Sequence, residues 1–593
     1  MANRDQQIEL WLLEEDEDIL EGTPCSDDEE SDHLEVQGEN TDSEEDDDHD
    51  LGEFELNQTF DSSASPAHVF TDEDEVPLSN LFYQAVDNTR WLKEQVRARR
   101  LMRQHNIVRV QSGPREIAKT KATSLDCLSL FLDDEIVAMI TNSTNKRILI
   151  EQNKYSRDRD AKITDELEIK GLMGILYLCG SVKSGRENIL QLFDAKKGTG
   201  MEAVYLTMNV QRFKFLMRNL RFDDPTTRAQ RIMVDKLAPI RDLFQKIVKN
   251  FQKHYTPSSE LTLDEQLIAY RGRCRFRQYI PNKPAKYGIK IFALVDCERP
   301  YTYNLEIYGG SNPGPFEISN NRFDVVLRVT EPIHGENRNV TMDNWFTSLE
   351  AAKKLFENKT TVVGTIRKDK REVPKAFRTT TNRTEFSSLF GFHENTTLVS
   401  YVPKKNKVVL LLSTVHNDGC IDESSGDKRK PDIITYYNRT KNGVDLVDKM
   451  CSLYDVARNS RRWPLTVFFN LMNISAINAL CIYKANNGLI KVLRREFLSD
   501  IALGMMKPLA SRRMSTDCLP KILKLKISDF LGIPLDEQPQ KVASSPRGGA
   551  RGRCFFCGRK RNKTTRISCQ LCGKFTCPDH CNYMCNSCYE NHT

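Results

Sequence analysis

The sequence predicts a multidomain α/β protein with a disordered acidic N-terminus and a metal-stapled tail, and three observations carry that reading. The chain has 593 residues, too many for one hydrophobic core, which stops growing at roughly 250–300 residues. Charge and texture both change along it, from acidic to basic near residue 90 and from helix-like to strand-like near residue 260. Its 17 cysteines are segregated: nine are scattered singly between Cys25 and Cys518, and eight crowd into the last 40 residues.

The head comes first. Residues 1–80 hold 29 Asp+Glu against a single basic residue, Arg4. Such a segment cannot bury enough apolar surface to offset its ordering entropy, so residues 1–89 are expected to be disordered. Serines sit upstream of acids in runs such as Ser26-Asp27-Asp28-Glu29-Glu30. Phosphorylation there would add negative charge, and the head is expected to compete with DNA for basic surface. The remaining 513 residues hold 85 Lys+Arg against 53 Asp+Glu, a net +32 that the whole-chain value of +4 conceals. A body this basic points to a polyanionic partner, most simply nucleic acid. Residues 90–115 form its basic arm, and from Arg90 to Lys121 ten Arg/Lys stand against only Glu94 and Glu116.

From about 125 to 255 the pattern is helical. Glu166–Val182 is an apolar, helix-length run, and Leu237, Ile240, Leu243, Phe244, Ile247, Val248 and Phe251 recur at helical spacing behind an Asp235 cap. From residue 260 the runs shorten and become rich in β-branched and aromatic residues. Leu261–Tyr270, Gly288–Asp296, Tyr301–Tyr308, Phe323–Val329 and Asn339–Asp343 together predict a five-stranded sheet. Thr397–Val402 and Lys407–Ser413 predict a hairpin, and Asp418–Lys430 a polar loop. Helix returns from about Asn442 to Arg458. Pro464–Tyr483 is 20 residues without a charge, but Asn470, Asn473, Ser475 and Asn478 mark it as a buried helix rather than a membrane span. The N-terminus is acidic rather than basic and apolar, so no secretory signal is expected. The cysteines then fit a reducing compartment and metal ligation better than disulfides.

Three carboxylates stand where a phosphoryl-transfer metal site would need them. Asp264 lies within a strand-like run, Asp343 ends another, and Asp445 opens a helix with Asp448 at i+3. Two divalent ions held by such carboxylates would clamp the entering and leaving oxygens at phosphorus. Taken singly, each is more often a cap or a solvated charge, and spacing alone does not identify a triad.

The surrounding blocks are more specific. LTLDEQLIAYRGRCRFRQYIPNKPAKYGIKI (261–291), VTMDNWFTSL (340–349), VGTIRKDKREVP (363–374), YYNRTKNGVDLVDKM (436–450) and RRWP (461–464) resemble, in order, those of the piggyBac transposase family. The likeness is closest to the founding insect-type elements and runs from about residue 115 to the C-terminus. It implies an RNase H-like catalytic core in two parts, 260–369 and 432–454, interrupted by an insertion domain at 370–431. It also implies a helical dimerisation and DNA-binding domain formed by 116–259 and 455–535, then a basic linker at 536–553. The implied metal ligands are Asp264, Asp343 and Asp445, with Asp448 as a fourth acid and Mg²⁺, or Mn²⁺, as the ion. The implied activity is cut-and-paste transposition through hairpin intermediates into TTAA sites, by a nuclear homodimer on double-stranded terminal repeats. Arg271, Arg273, Lys283, Lys286, Lys290, Arg367 and Lys370 are candidate DNA contacts, the last two matching a target-contacting stretch. One departure, Asn442 where the family usually has Gly, is not at an implied ligand position. A domesticated DNA-binding protein without catalysis is the alternative, and all four acids being intact speaks against it.

The tail reads Cys554-x2-Cys557-x11-Cys569-x2-Cys572-x4-Cys577-x2-His580-x4-Cys585-x2-Cys588. Eight ligands suit two closed tetrahedral Zn²⁺ sites. The expected arrangement of residues 554–593 is a cross-brace, with pairs one and three on one ion and pairs two and four on the other. Arg559, Lys560 and Arg561 within it would bind the transposon end or serve nuclear import. With so little core, this module should fold only with metal.

Overall fold

The computed structural model describes residues 81–94, 110–533 and 551–585, apart from short interruptions at 186, 196–197, 282, 284, 311–317, 489–490, 517–518, 558–562, 570–571 and 583. Residues 1–80 of the expected disordered head, most of the basic arm and most of the linker at 536–553 lie outside the described residues, whereas residues 81–89, also expected to be disordered, are folded into a β-hairpin. The chain divides into two compact units at Ser515/Thr516.

The first unit opens with a hairpin, β1 (Phe82–Gln84) and β2 (Arg90–Leu92). A helical region follows, whose longest members are α1 (Asp134–Gln152), α2 (Glu166–Ser181) and α3 (Arg241–His254). Next come β3 (Glu260–Ala269), β4 (Tyr287–Asp296), β5 (Thr302–Ile307), α4 (Arg322–Thr330), β6 (Asn339–Met342), α5 (Leu349–Glu357) and β7 (Thr361–Thr365). The strands β8 (Ser388–His393), β9 (Thr396–Lys404) and β10 (Lys407–Ser413) precede the helices α6 (Asp432–Thr440), α7 (Gly443–Leu453), α8 (Trp463–Asn486) and α9 (Arg494–Met514).

The sheet order at its centre is β5-β4-β3-β6-β7. β3, β4 and β5 pair antiparallel, whereas β6 runs parallel to β3 and β7 parallel to β6. This is the RNase H-like arrangement, three antiparallel strands flanked by two parallel ones. Beyond β7 the sheet continues through β10, β9 and β8, and β2 joins β8 where Leu92 stands opposite Phe392. The insertion thus extends the central sheet instead of forming a sheet of its own. Trp91, fully buried, pins the N-terminal hairpin to it, and its indole N–H donates to the Glu372 carbonyl at 2.8 Å. Arg90–Leu92 is therefore folded, not part of an extended arm.

Two other expectations need correction. Phe323–Val329 is a helix, not a strand. Asn321 caps it by accepting from the Phe323 amide, and Val325, Val326 and Val329 are buried on one face at helical spacing. The fifth core strand is instead Thr361–Thr365. Asp235 does not cap α3; it closes the preceding short helix and is paired with the Arg241 guanidinium.

In the helical body α2 and α9 pack closely. A Cβ on Gly171 would lie 2.4 Å from Leu509 Cδ2, and one on Gly174 would lie 2.8 Å from the Ala502 carbonyl. Only glycine permits that approach, which joins chain from before and after the core. α8 is long and apolar enough to cross a membrane, yet 94% of its most apolar window is buried in the protein. Its asparagines are satisfied internally: Asn473 donates to Asp455 at 2.8 Å, and Asn478 brackets the Thr302 backbone at 2.9 Å on both sides.

Candidate active site and metal centres

β3 carries Asp264 at its middle, opposite Ala293 of β4. Asp343 follows the last residue of β6, and the strands are parallel with Leu263 opposite Met342. Adjacent parallel strands therefore bring these two side chains to neighbouring positions, although 78 residues of chain separate them. Asp445 enters from the first turn of α7, whose start packs so tightly that a Cβ on Gly443 would lie 2.7 Å from Thr262 Oγ1. The three line one cleft of about 230 Å³, together with Tyr437, Lys441 and Asn442.

The electrostatics of this cleft are those of crowded acids. Burial and then the Asp343 carboxylate push Asp264 well above the usual carboxylate range. Burial, followed by Glu265, raises Asp343 to about 6, against the Trp345 and Phe346 amides that donate to its Oδ1 at 3.0 and 3.3 Å. Asp448 is raised to about 7, mainly by burial, while a hydrogen bond from Gln266 Nε2 and the Lys283 charge oppose the rise. Hard oxygen donors from three separate elements, destabilised by mutual repulsion, fit a divalent cation. Asp264, Asp343 and Asp445 would hold it.

The structure adds Gln266 and Lys441 and places the sequence candidate Lys283 in the field of the acids. Gln266, two positions from Asp264 on β3, accepts from Asn470 Nδ2 of α8 at 2.9 Å while it donates to Asp448. Lys283 donates to the Glu265 carbonyl at 3.3 Å. Burial works against its charge, but the fields of Asp264, Asp445, Glu265 and Asp448 outweigh that and hold its pKa above the usual lysine value. Lys441 reaches the same cleft and no motif singled it out.

The other basic candidates separate. Arg271 and Arg273 are exposed and line a groove of about 2380 Å³ that begins where β3 ends, alongside Arg275, Arg277, Arg458 and Arg461. Lys286 is exposed at the turn before β4. Arg367 pairs with Asp369 at 3.1 Å, and Lys370 borders a second cleft with Arg322, Trp345 and Lys353. Lys290 is different. It is only 7% exposed, its ammonium 2.6 Å from Glu265, and a phosphate contact would require breaking that buried pair. Arg559, Lys560 and Arg561 lie outside the described residues.

In the second unit Cys554, Cys557, Cys577 and His580 bring their ligand atoms within 4.8 Å of one another. The first pair follows a short antiparallel ladder, Gly552–Arg553 with Thr564–Thr565, and the third sits on a turn in which the His580 amide donates to the Cys577 carbonyl at 2.9 Å. Pairs one and three thus form one Cys₃His cluster, a donor set compatible with zinc. Cys569 and Cys572 lie in another tight turn, closed by the Gly573 amide donating to Cys569 at 2.9 Å. The Cys585 side chain and Cys588, their expected partners, lie outside what is described.

Comparison with known proteins agrees with this architecture. Residues 123–480 match the family model described as Transposase IS4. Two Homo sapiens proteins are similar in sequence. PiggyBac transposable element-derived protein 3 is 25% identical over 382 residues, 61% of this chain and 62% of that one. PiggyBac transposable element-derived protein 2 is 20% identical over 385 residues, 62% of this chain and 63% of its own. The chain therefore spans about three fifths of the length of these relatives. A cryo-EM structure of a piggyBac transposase synaptic complex with hairpin DNA superposes with a TM-score of 0.68 at 34% identity, covering 81% of this chain and 100% of that one.

Proposed function

Because the chain belongs to the Transposase IS4 family, in its piggyBac branch, we propose that it is a cut-and-paste DNA transposase. It excises an element through hairpin intermediates and inserts it at TTAA, acting as a homodimer in the nucleus. The observation that carries this reading is the convergence of Asp264, Asp343 and Asp445 on one cleft from three separate elements. A DNA-binding scaffold without catalysis would have no need to crowd acids against their own repulsion. That is the reason to prefer catalysis, although the human relatives are element-derived proteins.

Divalent ions, Mg²⁺ or Mn²⁺, would supply Lewis acidity and charge neutralisation at phosphorus when bound. The chain's own residues do the rest. The three aspartates would hold the ions, and Gln266 orients Asp448 by donating to it. Lys283, from the first of the family blocks, and Lys441, from the fourth, offer ammonium groups to the scissile phosphate. The arginines of the groove beyond β3 hold the duplex backbone. In each step an oxygen, from water or a 3′-hydroxyl, forms a bond to phosphorus as the bond to the leaving oxygen breaks. The proton lost by the entering oxygen balances the charge on the leaving one. The zinc module, whose sequence carries Arg559, Lys560 and Arg561, recognises the transposon end.

An excision assay on matched transposon ends tests this. Wild-type protein should release the element and restore the donor site, and Asp343→Asn should not. Equal excision by both proteins would remove the triad from the mechanism.

A further inference from the structure

Lys290 stands in a run of basic residues, yet it faces inward. Its Nζ lies 2.6 Å from Glu265 Oε2, 4.6 Å from the centre of the Trp345 ring and 5.2 Å from that of Phe292. Trp345 in turn stacks on Phe292, with centroids 5.4 Å apart and planes at 21°, and meets Phe346 edge-on at 4.6 Å. The backbone amides of these same two residues, Trp345 and Phe346, hold Asp343 Oδ1. A buried ion pair is costly to desolvate, and two apolar side chains in place of Lys290 and Glu265 would fill the same space without that cost. The charge therefore needs a reason, and the ring cluster it supports supplies one.

We infer that Lys290, paired with Glu265, is a positioning residue that fixes the Trp345 ring and through it the orientation of the Asp343 carboxylate. The inference rests on the reading of Asp343 as a metal ligand. It predicts an effect opposite in sign to that of plain charge. A lysine acting only through its field would repel a cation, so removing it would tighten metal binding. A lysine that positions the ligand would weaken metal binding when lost.

The test uses the full-length, zinc-loaded chain and calorimetric titration with Mn²⁺, counting only the binding that Asp343→Asn abolishes. Lys290→Met should weaken that binding by about tenfold or more, as loss of an outer-shell partner does. Lys290→Arg, which keeps the ion pair and the cation–ring contact, should remain within about threefold of wild type. Trp345→Phe changes no charge and should shift binding in the same direction as Lys290→Met. If Lys290→Met does not fold, Trp345→Phe and Lys290→Arg decide. Tighter or unchanged Mn²⁺ binding in folded Lys290→Met or Trp345→Phe, or failure of Lys290→Arg to preserve it, overturns this inference alone. Absence of any Asp343-dependent Mn²⁺ binding in wild-type protein overturns both this inference and the functional reading beneath it.

Discussion

The two candidate metal centres of this chain are built in opposite ways. The carboxylate cleft draws its ligands from positions 181 residues apart, Asp264 to Asp445, and each is carried by an element of a large, buried core. The Cys₃His cluster draws all four donors from Cys554–His580, in a segment where few apolar residues are buried. In the first, the fold exists before the ion and imposes crowded acids upon it. In the second, ligand binding free energy is folding free energy. Metal removal should therefore disarm one unit and unfold the other.

The largest expected effect sharpens that contrast. Zinc chelation, or Cys577→Ser, should unfold residues 554–593, because structural zinc contributes roughly 10–16 kcal/mol in small modules. Chemical-shift dispersion of this segment should collapse while the thermal midpoint of the core holds. A module that stays folded after chelation would break the comparison.

Next, Asp343→Asn should lower strand nicking on the order of 10⁴-fold, as loss of one member of a catalytic unit does. The thermal midpoint of the metal-free core should stay level or rise, since one repelling charge is gone. A fall of many degrees would mean that the acids are structural.

A smaller effect is expected at Gln266→Leu. It leaves Asp448 and Asn470 without their shared partner, costing about 1–3 kcal/mol in stability. Nicking should fall roughly 10–100-fold with transposon-end affinity unchanged. Gel-shift and nicking assays on one preparation would separate the two.

The smallest effect is on pH. Asp343 titrates near 6 and Asp448 near 7 in the folded protein, against an ordinary 3.8. The native state therefore binds more protons than the unfolded chain across that interval. The metal-free core should gain a few degrees of thermal stability as pH falls from above 7 toward about 4. Metal-dependent nicking should decline over the upper part of the same range, as protons displace the ion. A stability maximum at pH 8 without metal would contradict the crowding of the acids.

Legibility differed between the centres for a physical reason. Four CxxC/CxxH pairs are a local pattern, so the sequence alone states the ligand set and the cross-brace expectation, and the Cys554/Cys557/Cys577/His580 cluster follows it. Asp264, Asp343 and Asp445 are individually ordinary, and only their flanking blocks made them candidates. Local texture also misled: the valines of Arg322–Thr330 suggested a strand until the Asn321 cap and the one-sided burial of Val325, Val326 and Val329 settled a helix. Thr361–Thr365 passed unnoticed because five residues carry little periodicity.

What the sequence determined by itself was everything set by composition and short spacing. That covers the charge division, the helical texture before residue 260, the hairpin at Thr396–Ser413, the apolar helix after Arg462 and the first and third cysteine pairs. What only the tertiary structure decided was everything set by pairing across long loops. β3 and β6 had to align in parallel before Asp264 and Asp343 became neighbours. Gln266 had to face α8 before it linked Asn470 to Asp448. Lys290, read with its basic neighbours as a DNA contact, turned out to lie beneath Trp345, because the side a strand residue faces is fixed by register and packing and not by the charge of the residues around it.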